Sequence, residues 1–404
     1  MKNNTKKCKS KCIHLPKNEC YKGCVFTKKG FCKLSSRYQM DNKTCKLMKR
    51  SKYIPKSFKI PKKKNEPISS SYSPEINKYL IQSRYSPKYD IFSAITNCMN
   101  IDINNYSIND SILKYYSNPR IQLKDGQCVS YWQKESQDMF LDNLSKHNRI
   151  DIHNLIVPKQ SLYNCWFNTG FMINYVSDKG RKFNKFFRQF MITGKVRGLK
   201  PFLNKLKAPL FLFNIAIEAT LQGDTLAKIM NTNDIIEKIY KNIPKEYKKS
   251  NPLANKLEYG NPYDYQMSLL NYLSEHKRPY NFVNGYSILK DKMPILLSSD
   301  VLYMEISEKH SKQIDNKTIS LKTKENIYEI DSILLRDITG NHFCCLITLN
   351  DKEYMYDGAE EPSIVRLNWK NNDFLNTNKT FKMNETSSLW NMRKGYQVLN
   401  YYQV

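Results

Sequence analysis

Phe343-Cys-Cys-Leu-Ile-Thr-Leu349-Asn-Asp-Lys-Glu353-Tyr-Met-Tyr356 is an apolar run, a polar break and an apolar-aromatic run. Each run has strand length and is rich in residues that suit a pleated surface. The break, Asn350-Asp351-Lys352, is short enough for a hairpin, so two antiparallel strands are predicted here. Working outward, Val301–Ile306 and Tyr328–Leu335 precede this hairpin with the same signature, and Ser363–Leu367 and Tyr396–Tyr402 follow it. The period changes upstream. After Cys165, the residues Phe167, Phe171, Ile173, Val176, Phe183, Phe186, Phe187 and Phe190 recur at steps of three and four, which predicts helix over 165–192. Further helices are expected over 233–243 and 264–276, and shorter ones over Tyr89–Asn100 and Tyr131–Ser145. Helices first and strands second, without alternation, predict an α+β fold.

The chain has 404 residues and a net charge of +28, with 40% hydrophobic and 12% aromatic residues, so it can build a sizeable core. The charge is uneven. Residues 1–65 hold 21 Lys/Arg against Glu19 and Asp41, a surplus of +19. Such a segment implies an acidic partner, nucleic acid foremost, or a nuclear-import patch around Lys62-Lys63-Lys64, beside the plainer reading of a solvated tail. The N-terminus is Lys-rich with no apolar core behind it, unlike a secretory signal. The longest apolar stretch, Pro209–Ala219, is interrupted by Asn214 and Glu218 and is too short to cross a bilayer. A soluble, intracellular protein without a membrane partner is expected, in a host cytoplasm or nucleus, with packaging in a virion as a further expectation.

Six of the eleven cysteines fall in the first 45 residues: Cys8, Cys12, Cys20, Cys24, Cys32 and Cys45. An even count in a short segment fits disulfides; thiolates holding a structural zinc, with His14 as a further ligand, are the alternative, and reduced thiols the plainest. Cys98, Cys128, Cys344 and Cys345 sit in apolar surroundings and are expected to be structural. The expected organisation is a Cys-rich basic module (1–45), a Pro/Lys/Ser linker (46–75), a helical part (76–150) and a core (151–404).

The chemistry centres on Gln160-Ser-Leu-Tyr-Asn-Cys165-Trp-Phe-Asn-Thr169, where a thiol opens a helix. The positive end of the helix dipole favours thiolate. Gln160 on the entering loop and Asn164 next to the thiol are candidate oxyanion donors. His342 stands at the start of a strand, and Asp357 comes fifteen residues later across the hairpin. That spacing brings both to one end of the sheet, with His342 as base and Asp357 as its orienting carboxylate. A buried core cysteine and a structural histidine are the plainer alternatives. No metal in the core and no cofactor are expected.

Cys165-Trp-Phe-Asn-Thr169 resembles the cysteine box of the ubiquitin-specific proteases, C-[YFW]-[MLF]-N-[ST]. Pro262-Tyr-Asp264 through Leu269-Leu270 to Leu273 is similar to the family's Asp-opened helix. Asp300–Ile306 looks like the strand after the fingers, Tyr328–Asp357 like the histidine box, and Gly395–Tyr401 like the closing A-Y-x-L-x-Y strand. The resemblance covers about 155–404 and implies a papain-like cysteine protease fold, in a divergent, viral member. The sequence departs from the family at three points. Tyr163-Asn164 replaces the usual G-N-T before the thiol. Gln160 stands where the family carries its oxyanion Asn. Some 20 residues separate the Asp264 helix from Pro294, with no C-x-x-C pairs, so the zinc-bearing fingers are expected to be reduced or absent. The resemblance implies a thiol hydrolase acting on ubiquitin or ubiquitin-like conjugates. Two alternatives stand beside it: a viral maturation endopeptidase cleaving structural precursors, and an inactive virion or nucleic-acid-associated protein that uses the same fold.

Overall fold

The computed structural model describes residues 118–404 apart from 146–149, 197–198, 203, 256, 275–280, 285–299, 312–316, 323–325, 339–341 and 385–387. It also describes the helix Ile91–Met99 and four short strands between residues 24 and 49. The chain divides into two compact units, residues 1–59 and 60–404.

In the first unit, Cys24–Phe26 pairs antiparallel with Cys32–Leu34, and Tyr38–Met40 with Leu47–Lys49. The second pair straddles the expected boundary at residue 45. The side chains of the six N-terminal cysteines and of the Lys/Pro-rich segment lie outside the described residues.

The second unit combines helices with a largely antiparallel sheet. Its helices are α1 (Ile91–Met99), α2 (Lys134–Ser145), α3 (Cys165–Phe171), α4 (Asp178–Phe183), α5 (Lys185–Thr193), α6 (Asn204–Gln222), α7 (Thr232–Asn242) and α8 (Pro262–Leu273), with shorter turns between them. The sheet strands are β1 (Asn281–Asn284), β2 (Val301–Ile306), β3 (Ser320–Lys322), β4 (Ile327–Arg336), β5 (Phe343–Leu349), β6 (Lys352–Tyr356), β7 (Ile364–Arg366) and β8 (Gln397–Gln403). They lie in the order β7-β6-β5-β4-β8-β2-β1, with β3 paired to β4. Helices before strands agree with the sequence pattern. The edge pair β1–β2 is parallel, which hairpin logic did not anticipate.

The sheet is covered on both faces, which is why its strands read as continuous apolar runs. Val301, Tyr303, Leu334, Cys345, Ile347 and Val398 face the helices. Leu302, Met304, Ile333, Cys344, Leu346 and Leu399 face the opposite way, against Trp369, Leu375 and Trp390 from the connection between β7 and β8. A bulge between Ile330 and Ser332 shifts the register of β4 against β8. An extra residue in one strand re-aims a side chain, and here that residue is Asp331. Its carboxylate accepts the Lys179 and Gly180 N–H groups at 3.1 and 3.2 Å, capping α4 from the sheet.

That cap accounts for a departure from the sequence reading. The single helix expected over 165–192 is three helices. α3 runs into a π-helical turn, Met172–Val176, and Ser177 is extended at φ −57 and ψ 153. The Ser177 hydroxyl donates to the Ile173 carbonyl at 2.6 Å, competing with the helical ladder. Asp331 then restarts the helix. The apolar spacing continues across the break, so periodicity alone did not reveal it.

The interrupted apolar stretch is the interior of α6. Asn214 and Glu218 lie one turn apart and meet Arg188 of α5. Arg188 donates to Glu218 at 2.5 Å and to Asn214 at 2.9 Å, all three being buried. Among the described residues no helix is long and apolar enough to cross a membrane.

Two of the cysteines expected to be structural are so through a covalent bond. Cys98 and Cys128 are not core thiols but a disulfide, with Cα atoms 5.7 Å apart, tying α1 to the strand Cys128–Ser130. Both cysteines are half-buried, and a 30-residue separation gives no local cue to the pairing. Residues 275–280 and 285–299, where reduced fingers were expected, lie outside the described residues.

Candidate active site

The hairpin β5–β6 sets the geometry. Asn350 and Asp351 have φ of 51 and 57, the left-handed pair of a two-residue turn. Leu349 therefore pairs with Lys352 and Cys345 with Tyr356. This register brings the residue before β5, His342, and the residue after β6, Asp357, to one end of the sheet. The turn is itself anchored to the helices. The buried Asp178 carboxylate of α4 accepts the Asn350 and Asp351 N–H groups, each at 3.0 Å. Burial, opposed by Arg181 and reinforced by Asp331, pushes Asp178 up to about 6. Neither Asp178 nor Asp331 was singled out from the sequence. Their partners lie about 150 to 170 residues away, and no local signal marks them.

His342 Nε2 lies 2.7 Å from Asp357 Oδ1. The Asp357 side chain is 1% exposed and that of His342 14%. Asp357 Oδ1 also accepts the Ala359 N–H at 3.0 Å. The His342 main chain is clasped by Asp337, whose N–H donates to the His342 carbonyl and whose Oδ1 accepts the His342 N–H. Trp390 packs against the ring at 5.7 Å. Burial by itself would lower the proton affinity of this imidazole. Hydrogen bonding and charge from Asp357 and from the Cys165 thiol outweigh it and push His342 up to about 10. The thiol and the carboxylate both act on this ring, and α3, which Cys165 opens, packs against β5, which follows His342. The nearby carboxylates are engaged elsewhere: Glu361 with Lys159 at 2.5 Å, Glu360 with Asn384 Nδ2 at 2.5 Å.

Cys165 opens α3 with 5% exposure. The helical ladder continues through the π turn to Val176, so the unpaired first-turn N–H groups face the thiol end. π turns recur near functional sites. Cys344 and Cys345, the other free cysteines among the described residues, are fully enclosed, and burial raises both thiols well above their ordinary range.

The entering loop is tied to the far end of β6. Tyr356 donates its hydroxyl to the Pro158 carbonyl at 2.6 Å, and the Gln160 N–H donates to the Gly358 carbonyl at 2.8 Å. A Cβ on Gly358 would fall 2.7 Å from the Tyr356 hydroxyl, so the close approach needs glycine. The carboxamide of Gln160 makes only a long 3.4 Å contact to the Leu162 carbonyl, which leaves its N–H groups available. Asn164 is placed differently. Its oxygen accepts the Ser161 N–H at 2.9 Å, and its nitrogen donates to Thr232 Oγ1 at 2.9 Å, deep against α7. Thr232 in turn donates to Asn168 Oδ1 at 2.6 Å. Asn164 thus braces the turn that presents Cys165.

Beyond the thiol, Asp264 in the first turn of α8 is raised by burial and by the charge of Glu305 on β2. A small apolar pocket lies between α3, the π turn, α8 and the sheet, lined by Ile173, Tyr263, Tyr303, Leu334 and Val398. No group of three or more potential metal ligands occurs among the described residues.

No family model matches the sequence, and no curated protein matches it. Among solved structures the chain is similar to an essential yeast splicing factor, with a TM-score of 0.39 and 8% identity, over 70% of this chain and 83% of that one. At that score the likeness carries no argument about fold or activity.

Proposed function

We propose that the chain is a papain-like thiol hydrolase of peptide or isopeptide bonds, acting on ubiquitin or ubiquitin-like conjugates. The observation that carries this reading is the convergence of Cys165 at a helix start, His342, and Asp357 at 2.7 Å behind the imidazole. This is the nucleophile, base and orienter arrangement of covalent catalysis.

In this mechanism the thiolate of Cys165 attacks the acyl carbon, paired with the imidazolium of His342. The carbonyl oxygen takes up the negative charge, and the Gln160 amide with the Cys165 backbone N–H stabilises it. As the C–N bond breaks, His342 gives its proton to the leaving amine, and the acyl group remains as a thioester. His342, now neutral, takes a proton from water, and the resulting attack on the thioester releases the carboxylic acid product and restores the thiolate–imidazolium pair. Asp357 holds the ring and stabilises its charged form throughout.

A second reading keeps the same chemistry in a maturation endopeptidase acting on structural precursors inside a viral particle. The Cys98–Cys128 disulfide favours it, since disulfides persist where the surroundings are oxidising. One experiment separates the two. The protein is incubated with a ubiquitin C-terminal electrophile and analysed by intact-mass and peptide mass spectrometry. One adduct on Cys165 supports the deubiquitinase-like reading. Failure to react, with Cys165 still readily alkylated by iodoacetamide, shifts the substrate to a precursor. A slow-reacting Cys165 would refute the nucleophile in both.

A further inference from the structure

Half of the large apolar side chains that stand exposed among the described residues gather at one place: Leu162 (60%), Tyr163 (42%), Leu257 (64%) and Tyr259 (67%). The first two lie on the loop that enters α3, and the last two on the loop that enters α8. The Tyr163 and Tyr259 rings pack at 4.8 Å and join the two loops. Burying four such side chains would be strongly favourable, and their exposure in a cluster marks a contact surface.

Both loops are held rigidly against the nucleophile's helix. Leu162 has φ of 55, a conformation that costs a branched residue roughly 1–2 kcal/mol and persists only when the surroundings impose it. Ser161 and Asn164 impose it from one side. From the other, Asn233 donates to the Ser161 carbonyl at 2.9 Å and to its hydroxyl at 2.8 Å. On the second loop, a Cβ on Gly260 would fall 2.5 Å from the Trp166 indole, so the backbone lies directly on the residue that follows Cys165. Asn261 then caps α8, accepting the Tyr263 N–H at 2.9 Å.

We propose that Leu162, Tyr163, Leu257 and Tyr259 form a lip that grips an extended polypeptide segment through a large apolar side chain close to the scissile bond. This deepens the hydrolase reading and rests on it for the word scissile. Tyr163 is two peptide steps from Cys165, so its Cα is within about 7.6 Å of the nucleophile's Cα. An extended substrate advances about 3.4 Å per residue, so the lip meets a side chain two or three residues from the attacked carbonyl. Charge argues for polypeptide over nucleic acid. Segments 160–164 and 257–261 contain no Lys or Arg and one acid, Glu258; of the two lysines that precede them, Lys159 and Lys256, Lys159 is already paired with Glu361, which leaves little for phosphate.

The test uses the full chain with Cys165→Ala, so that binding is read without turnover. Fluorescein-labelled peptides carry Phe at one of three positions on either side of a central Gly-Gly bond, with Ser elsewhere, and are compared with an all-Ser peptide by fluorescence anisotropy. One Phe position is expected to bind on the order of tenfold more tightly than the all-Ser peptide. That preference should disappear on adding Leu257→Ser and Tyr259→Ser, and weaken with Leu162→Asn, whose side chain tolerates the left-handed backbone. The same lip changes made with Cys165 present should leave its iodoacetamide rate unchanged, showing that the site still folds. A preference that survives the double change, or no preference at all, overturns the lip. Light scattering runs alongside: a dimer that dissociates in the double variant assigns the patch to a second copy and also overturns it. If the Phe preference holds while the wild-type chain neither cleaves these peptides nor reacts with a ubiquitin electrophile, the hydrolase reading falls and the lip stands.

Discussion

Asp357→Asn tests the centre of the site. His342 rises from an ordinary 6.5 to about 10 in the folded protein, with Asp357 and Cys165 overcoming the burial that opposes it. At about 1.4 kcal/mol per pH unit, this is on the order of 5 kcal/mol of preference for the imidazolium. A neutral Asn removes the charge, while its amide oxygen can still accept the Nε2–H bond and hold the ring. With burial left to act, the imidazole should titrate several pH units lower. If it fell to 6.5, about a tenth of the ring would be protonated at pH 7.5. In the proposed mechanism the imidazolium is the acid that expels the amine, so kcat/KM should fall by about ten- to a thousandfold. This is less than the roughly 10⁴ of a serine triad, because a thiol needs less activation. The assay is the pH profile of a fluorogenic ubiquitin-tail substrate, with iodoacetamide alkylation of Cys165 as a readout that needs no substrate. In the wild type the alkaline limb should lie near pH 10; in the variant it should move toward or below neutrality. Stability carries the same signature. The raised folded value stabilises the native state fully below pH 6.5, and that contribution is lost as pH rises from 6.5 through 10. The stability gap between wild type and variant should therefore narrow across that window. An Asp357→Asn protein with wild-type rates and an unmoved alkaline limb would refute the assignment.

Four further outcomes are expected. Within residues 60–404 of the native protein iodoacetamide should modify Cys165 alone, because Cys344 and Cys345 are enclosed with raised thiols and Cys98 and Cys128 are paired; in Cys165→Ala, peptide mass spectrometry should find no rapid adduct in that part of the chain. Glu218→Gln leaves Arg188 buried without its counter-charge and should cost about 3–5 kcal/mol in urea unfolding, whereas joint replacement of Arg188 and Glu218 by Met should recover most of that loss. Gly358→Ala should displace the Gln160 loop and lower kcat while the His342 titration stays in place, because the added Cβ meets Tyr356 Oη and lies 3.2 Å from the Gln160 nitrogen. A chain beginning at residue 76 should keep turnover but elute from a polyanion column at much lower salt, since it lacks the +19 segment and the counterion release that segment drives; unchanged elution would remove the acidic-partner hypothesis.

Strand and helix identities were legible wherever one period ran long enough to outweigh local preference. β2, β5 and the neighbouring strands read as apolar runs because both faces of the sheet are covered. The hairpin was legible because the break between the two apolar runs is short; the structure then narrowed it to a two-residue turn, whose left-handed backbone Asn350 and Asp351 tolerate. From that turn the juxtaposition of His342 and Asp357 follows by counting residues along two paired strands. The arrival of Cys165 at the same imidazole does not follow from any count. It depends on α3 packing across the sheet, and on Tyr356 and Gly358 gripping the loop that precedes it.

What the amino-acid sequence determined by itself was local and periodic: the class of fold, the thiol at a helix start, the imidazole and carboxylate at one sheet end, and the basic N-terminal segment. What the tertiary structure decided depended on partners far apart in the chain. Asp331, turned by a bulge, restarted the expected helix at Asp178 after its break at Ser177. Asp178 fastened the hairpin, Cys98 found Cys128, and Asn164 turned toward Thr232 and braced the turn at Cys165. Such contacts leave no periodic trace, because a buried polar group or cysteine is placed by the need to satisfy it in three dimensions. Its partner is whichever group the packing brings within reach.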